Sequence, residues 1–193
     1  MTRGMRWRII TLQAILVLVL GFGAGFLYYQ AGFVNSMVHD QLAAQRITFP
    51  DKSQAVPGGA LDPKEFPELQ QYAGQRVDSG DKAYAFAQYF IGRHLKTVAN
   101  GKTYAEVSAA SRANPNDPTL RAQADTLFRG EMLRTALLNA WGWSQLAKYT
   151  MGAALALAVA ALGVLAALIY EVVFARTEEV ERPRVTTAPA RAT

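Results

Sequence analysis

The chain has 193 residues, 51% of them hydrophobic and 18% charged, with no cysteine and two histidines. That length suits one domain or two small ones, and the missing cysteine excludes disulfide staples, thiolate metal sites, iron–sulfur clusters and cysteine nucleophiles. The net charge of +5 is dispersed, with 13 Lys/Arg against 11 Asp/Glu over residues 30–148, so no dense basic face for nucleic acid is expected.

Residues 1–8 form a basic N-terminus with Arg3, Arg6 and Arg8. Residues 9–28 carry no charge. At about 1.5 Å per residue this run covers about 30 Å, the thickness of a hydrocarbon core, and predicts a transmembrane helix over 9–29. The run is longer than the apolar region of a cleavable signal peptide. Tyr28, Tyr29 and Gln30 offer no small-x-small cleavage site, so an uncleaved signal anchor is expected. Gly21 and Gly25 stand at Gly-x-x-x-Gly spacing, which lets membrane helices approach closely. Gly21-Phe22-Gly23 resembles part of a potassium filter, but no pore helix or Thr-Val lead accompanies it. Gln13 is the one strongly polar side chain of this span.

Residues 31–47 read as a helix continuing the span, with Val34, Val38, Leu42 and Gln45 at helical spacing. Phe49-Pro50 should stop it, because a residue before proline leaves the helical region. Gln41 and Gln45 lie one turn apart and share a face. That face is expected to meet the helix before the second span, with Leu133, Leu137 and Ala140 for packing and Arg134 and Asn139 as polar partners. Residues 50–61 contain Pro50, Pro57, Gly58 and Gly59 and read as a loop. Asp62-Pro63-Lys64-Glu65 has the form of a helix start with a cap and proline in the first turn. Pro67 should keep that helix short and Gly74 should end it.

A helix over about 81–98 follows, with Ala83, Phe86, Ala87, Phe90 and Ile91 as its stripe and Asn100-Gly101 as its close. Thr103-Tyr104-Ala105-Glu106 is a capping box for a helix to about Arg112. Asp117 caps the next helix and Pro118 takes its first position. Helical sequence then runs to Phe174, with Gly130 and Gly142 as its weak points. Within it residues 149–170 are uncharged and predict a second transmembrane helix over 149–172. Gly152, Ala156 and Ala160, with Gly163 and Ala167, offer a small face to match Gly21 and Gly25. Residues 173–193 are read as a cytoplasmic tail, its end rich in Pro, Ala, Thr and Arg and expected to be disordered.

The fold class expected is therefore an all-α membrane protein, two transmembrane helices with an all-helical domain over 30–148 inserted between them. Period-2 alternation is absent. Arginines flank both spans on the outer sides of the pair, so the positive-inside rule places both termini in the cytoplasm and the central domain outside. With flanks this short, no attached cytoplasmic signalling domain is expected. Both spans should continue outward as stalks.

Chemistry is sparse. His39-Asp40 are helix neighbours about 100° apart and do not chelate one ion readily. His94 has Arg93 and Lys96 beside it, so no metal site is expected. No Gly-x-Ser-x-Gly elbow, P-loop or dinucleotide fingerprint occurs. The spans hold no ionisable group at depth of the kind a transport path uses. No catalytic residue and no cofactor are expected. Trp141, Trp143 and Tyr149 read either as an aromatic belt at the outer interface or as a docking surface for another membrane protein. Together with Gln41, Leu42, Gln45 and Arg134, the two tryptophans make up the candidate interaction face.

The stretch Val38-x-x-Gln41-Leu42-x-x-Gln45-x-Ile47-x-Phe49-Pro50 resembles a signature of uncharacterised two-pass membrane proteins of high-GC Gram-positive bacteria. Phe128-Arg129-Gly130-Glu131-Met132-Leu133-Arg134 and Leu138-Asn139-Ala140-Trp141-Gly142 are similar to the same group. The resemblance implies an envelope location and two spans and brings no catalytic residues. A non-enzymatic accessory or interaction module of a cell-envelope complex is the expected role, with the bilayer and other membrane proteins or a second copy as partners. An extracytoplasmic ligand-binding or sensing protein is the alternative, and a pocket near Gln41, Gln45 and Arg134 would favour it.

Overall fold

The computed structural model describes residues 3–180, with side chains described over residues 4–173. The expected disorder of the last residues lies outside that range. Five α-helices carry the described chain: α1 (Arg3–Gln45), α2 (Gly80–Ala85), α3 (Gly92–Val98), α4 (Tyr104–Ala113) and α5 (Pro118–Val180). No strand forms among the described residues. The chain divides into two compact units, Gln30–Thr150 and the pair Met1–Tyr29 with Met151–Thr193.

The first unit to build is the apolar pair. Both helices are long and apolar enough to cross a membrane. Among the α1 positions withdrawn from the surface are Gln13, Val17, Leu20, Ala24 and Leu27. Their steps alternate between four and three residues, the 3.5-residue repeat of a coiled-coil seam. Ala154, Ala158, Ala161, Val164 and Leu168 form the matching seam of α5. The two runs are antiparallel: a side chain on Gly23 would meet Leu157 at 3.4 Å, and Arg6 Nη2 donates to the carbonyl of Glu171 at 2.9 Å.

This seam corrects the expected one. Gly21, Gly25 and Gly152 have open space where a Cβ would stand, and Ala156 and Ala160 are exposed. Contact runs instead through Gly23, Ala24, Ala154 and Ala161. On helices with small residues on several faces, spacing alone does not choose the face. The seam chosen is the one that also holds Leu20, Leu27 and Leu157, whose larger side chains supply dispersion contacts.

In the helical unit α1 ends at Gln45, because Arg46 turns left-handed at φ 53°. Residues 47–50 then run beside 74–77 in a short antiparallel pairing. Phe49 N–H donates to the Gln75 carbonyl, Gly74 N–H to Pro50 and Val77 N–H to Ile47, each at 2.9 Å. Gly74 takes φ 72° at this return. The expected helix at Asp62-Pro63 does not form. Asp62 instead ties a turn, accepting from the N–H groups of Gly58 at 2.7 Å and Lys64 at 2.8 Å. The helical turn comes later, a 3₁₀ stretch over Pro67–Tyr72 with proline at its first position.

The expected helix over about 81–98 is one helical run with an insertion. Between α2 and α3, Phe86–Ile91 is wound as a π-helix. The wider turn brings residues five apart together, and Tyr84 and Tyr89 meet edge to face with centroids 5.9 Å apart. Thr103 and Glu106 complete their capping box at the start of α4. Asp117 caps α5 through the N–H groups of Thr119 and Leu120.

The core of this unit gathers Val38 and Leu42 of α1, Phe49, Leu61, Leu69 and Val77 of the connections, and Phe86, Ile91 and Leu95 of the π-helix and α3. Leu127 and Leu137 close it from α5. Phe49 is its aromatic centre, 5.3 Å from the Tyr72 ring and 5.1 Å from Phe86. Two glycines set the approach to α5. A Cβ on Gly130 would stand 2.4 Å from a Leu95 methyl, and one on Gly80 would stand 2.3 Å from Ser144 Cβ. Gly130, a weak point by propensity, thus lets Leu95 pack close against α5. Gly142 meets nothing.

Candidate functional site

The residues singled out from the sequence are dispersed. Gln41 and Gln45 are exposed, while Leu42 is buried in the core. The expected contact of the Gln face with Arg134 and Asn139 does not form; Arg134 pairs with Gln88 of the π-helix instead. Trp141 is half-buried against Tyr84, ring centroids 4.8 Å apart. Trp143 is exposed. Gln13 Oε1 is buried without a hydrogen-bond partner among the described residues.

His39 Nδ1 lies 2.8 Å from the carbonyl of Asp78, so it serves the unit's own backbone. His94 stacks over Phe90 at 6.5 Å. Among the described residues no group of three metal-ligating side chains converges.

Two surface features remain that carry chemistry. One is apolar. Phe128, Met132, Trp143 and Leu146 project from α5 on one helical side and are each about half exposed; they form two pairs, with the exposed Thr135 and Asn139 between them, and the Phe128 ring packs on Tyr104 at 5.7 Å. This stripe lies before the charge-free run begins at Tyr149.

The other is a cleft of about 570 Å³ between the π-helix, α3, the start of α4 and α5. Arg134 sits on its α5 wall. Its Nη2 donates to Gln88 Oε1 at 2.9 Å and its Nη1 reaches Glu131 at 3.4 Å. Its Nε is buried with no partner among the described residues. Lys96 and Lys102 also line the cleft, and both are exposed.

Arg93 stands at the same cleft, but its charge is engaged. It holds Glu68 with two hydrogen bonds of 3.0 and 2.8 Å and also donates to the Glu65 carbonyl. Its guanidinium lies over the rings of Phe66 at 5.6 Å and Tyr89 at 5.4 Å. The hydrogen bonds from Arg93 hold the Glu68 carboxyl below its usual range. The neighbouring Tyr84 raises the phenol of Tyr89, with burial adding to the shift.

Glu68, Gln88 and Arg93 carried no sequence signal. Glu68 and Arg93 lie 25 residues apart, across the 74–77 pairing, α2 and the π-helix, and Gln88 meets Arg134 only through the tertiary fold. The chain matches no protein-family model, no curated protein sequence and no solved structure.

Proposed function

We propose that the chain is a two-span membrane protein with both termini in the cytoplasm and residues 30–148 on the outer face of a bacterial cell membrane. There the helical unit acts without catalysis, as an accessory or interaction module of an envelope complex. The observation that carries the membrane assignment is exposure. In the most apolar 18-residue window of α1 only 6% is buried, and in that of α5 only 11%. A core helix of a water-soluble protein hides such a surface, at roughly 25 cal/mol per Å² of apolar area removed from water. Here Leu18, Phe22, Val159 and Leu162 are each more than 60% exposed, so lipid is the solvent these side chains fit. The arginines flanking the two spans support the orientation.

The partners are the bilayer and other membrane proteins or a second copy, and no nucleic acid. The apolar stripe of Phe128, Met132, Trp143 and Leu146 supports the interaction role. Outside the charge-free run it faces water unless a partner covers it. Blue-native electrophoresis of gently solubilised membranes tests this role. A species larger than one chain with its micelle is expected, lost in Met132→Glu/Trp143→Glu while the melting temperature holds. A single-chain species in the parent would remove the assignment.

A further inference from the structure

We infer that the cleft beside Arg134 binds a phosphate-type oxyanion from the aqueous phase, a phosphate monoester or a diphosphate group. The charge balance of the cleft points that way. Glu131 is the one acid among its lining residues, against Arg93, Lys96, Lys102 and Arg134. Arg93 is neutralised by Glu68, and Glu131 offsets Arg134. Lys96 and Lys102 make no salt bridge among the described residues; the Glu106 carboxylate at the α4 cap offsets part of the Lys102 charge, and the cleft keeps a net positive charge that favours an anion.

Two solvated lysines alone would be an ordinary surface. Arg134 makes the difference. Its side chain is 28% exposed, and Gln88 fixes one arm of its fork. Its 3.4 Å reach to Glu131 exceeds the roughly 2.7–2.9 Å of a charge-assisted hydrogen bond, so the carboxylate does not saturate the guanidinium. The Nε donor is left without an acceptor, an uncommon state for a buried polar atom. Gly92 faces that atom: a Cβ there would stand 3.6 Å from Nε. A planar guanidinium with free donors suits the geometry of a phosphate. The volume lies within the roughly 300–1,000 Å³ typical of small-ligand pockets.

A phosphate group could come from solution or from a lipid headgroup. Fifteen residues of α5 separate Arg134 from Tyr149, about 22 Å along the helix axis. This separation favours a soluble ligand.

The test is isothermal titration of the full chain, in phosphatidylcholine nanodiscs at low ionic strength, with inorganic pyrophosphate. One-site binding is expected. Lys96→Gln/Lys102→Gln and, separately, Arg134→Lys should each weaken it by about tenfold or more, with the melting temperature kept. The lysine variant alters exposed side chains, so it reads the site even if Arg134→Lys folds poorly. Absence of binding up to about 10 mM pyrophosphate, a free energy weaker than about −3 kcal/mol, would overturn the inference. Equal affinity in the lysine variant would overturn it too, as would equal affinity in a folded Arg134→Lys. Replacing half the phosphatidylcholine by phosphatidylglycerol at constant ionic strength should leave the affinity unchanged. Competitive weakening there would assign the cleft to a lipid headgroup and overturn the soluble ligand.

Discussion

Gly80→Ala isolates the contact that seats α2 against α5. The new Cβ would stand 1.9 Å from Ser144 Oγ, 2.3 Å from Ser144 Cβ and 3.4 Å from Trp141 Cα. The hydroxyl can rotate away, but the Ser144 Cβ is fixed to the helix backbone. One element must therefore shift by most of an ångström. Overpacking of this kind costs about 1–3 kcal/mol. Alanine gains about 1 kcal/mol over glycine in a helix interior, but Gly80 is the first residue of α2 and recovers little of it. At about 4 °C per kcal/mol for a unit of this size, the melting temperature should fall by about 4–12 °C. Tryptophan fluorescence reads the change directly, since Trp141 packs on Tyr84 beside the contact. Ser144→Gly removes both clashing atoms at about 0.5 kcal/mol of helix propensity. The double variant should then be more stable than the sum of its parts, by about 1 kcal/mol or more. A melting temperature for Gly80→Ala at or above that of the parent would refute the reasoning, as would strict additivity with Ser144→Gly.

Three further outcomes follow from the packing and the ion pairs. Leu42→Ala should cost the helical unit about 2–5 kcal/mol, while the exposed Gln45→Ala should stay within about 0.5 kcal/mol; chemical denaturation ranks them, and the reverse order would mean Gln45 has a buried role. Oxidation should crosslink Gly23→Cys with Leu157→Cys within one chain and leave Gly25→Cys with Gly152→Cys unlinked; the opposite pattern would restore the Gly-x-x-x-Gly seam. Glu68 is held down by the Arg93 hydrogen bonds and Asp78 by that from Lys82. A carboxyl depressed in the folded state stabilises above its unfolded value and loses that contribution as pH falls through the folded one. Melting temperature should therefore hold from neutral pH down to about 5 and fall below it, with a shallower fall in Glu68→Gln; identical acid slopes would show that the pair contributes nothing.

Legibility in the sequence followed the range of the interaction. The Thr103–Glu106 capping box and the Asp117-Pro118 start of α5 are local, and each was readable from a few residues. The long apolar helices were readable because length and composition suffice. Asp62-Pro63 misled for a local reason: an aspartate can close a turn as readily as cap a helix, and Pro67 lacks the N–H that a continuing first turn would use. The end of α1 came at Arg46 rather than Phe49-Pro50, because residues 47–50 are drawn into pairing with 74–77. Which small face forms the α1–α5 seam could not be read, since Gly21, Gly23, Ala24 and Gly25 place small residues on neighbouring faces. The cleft was illegible because it exists only once α5 packs on residues 80–98, and no local motif marked the π-helix. Arg134 was identified, but with the wrong partner: Gln88, not Gln41 or Gln45, is the amide within its reach.

The central proposal, two spans with residues 30–148 outside the cell membrane, is tested most directly by labelling Ser53→Cys. The chain has no cysteine of its own, and Ser53 is exposed in the loop after Pro50. A membrane-impermeant maleimide should modify it in intact cells to the same extent as after lysis. Modification only after lysis would place the helical unit inside and contradict the topology.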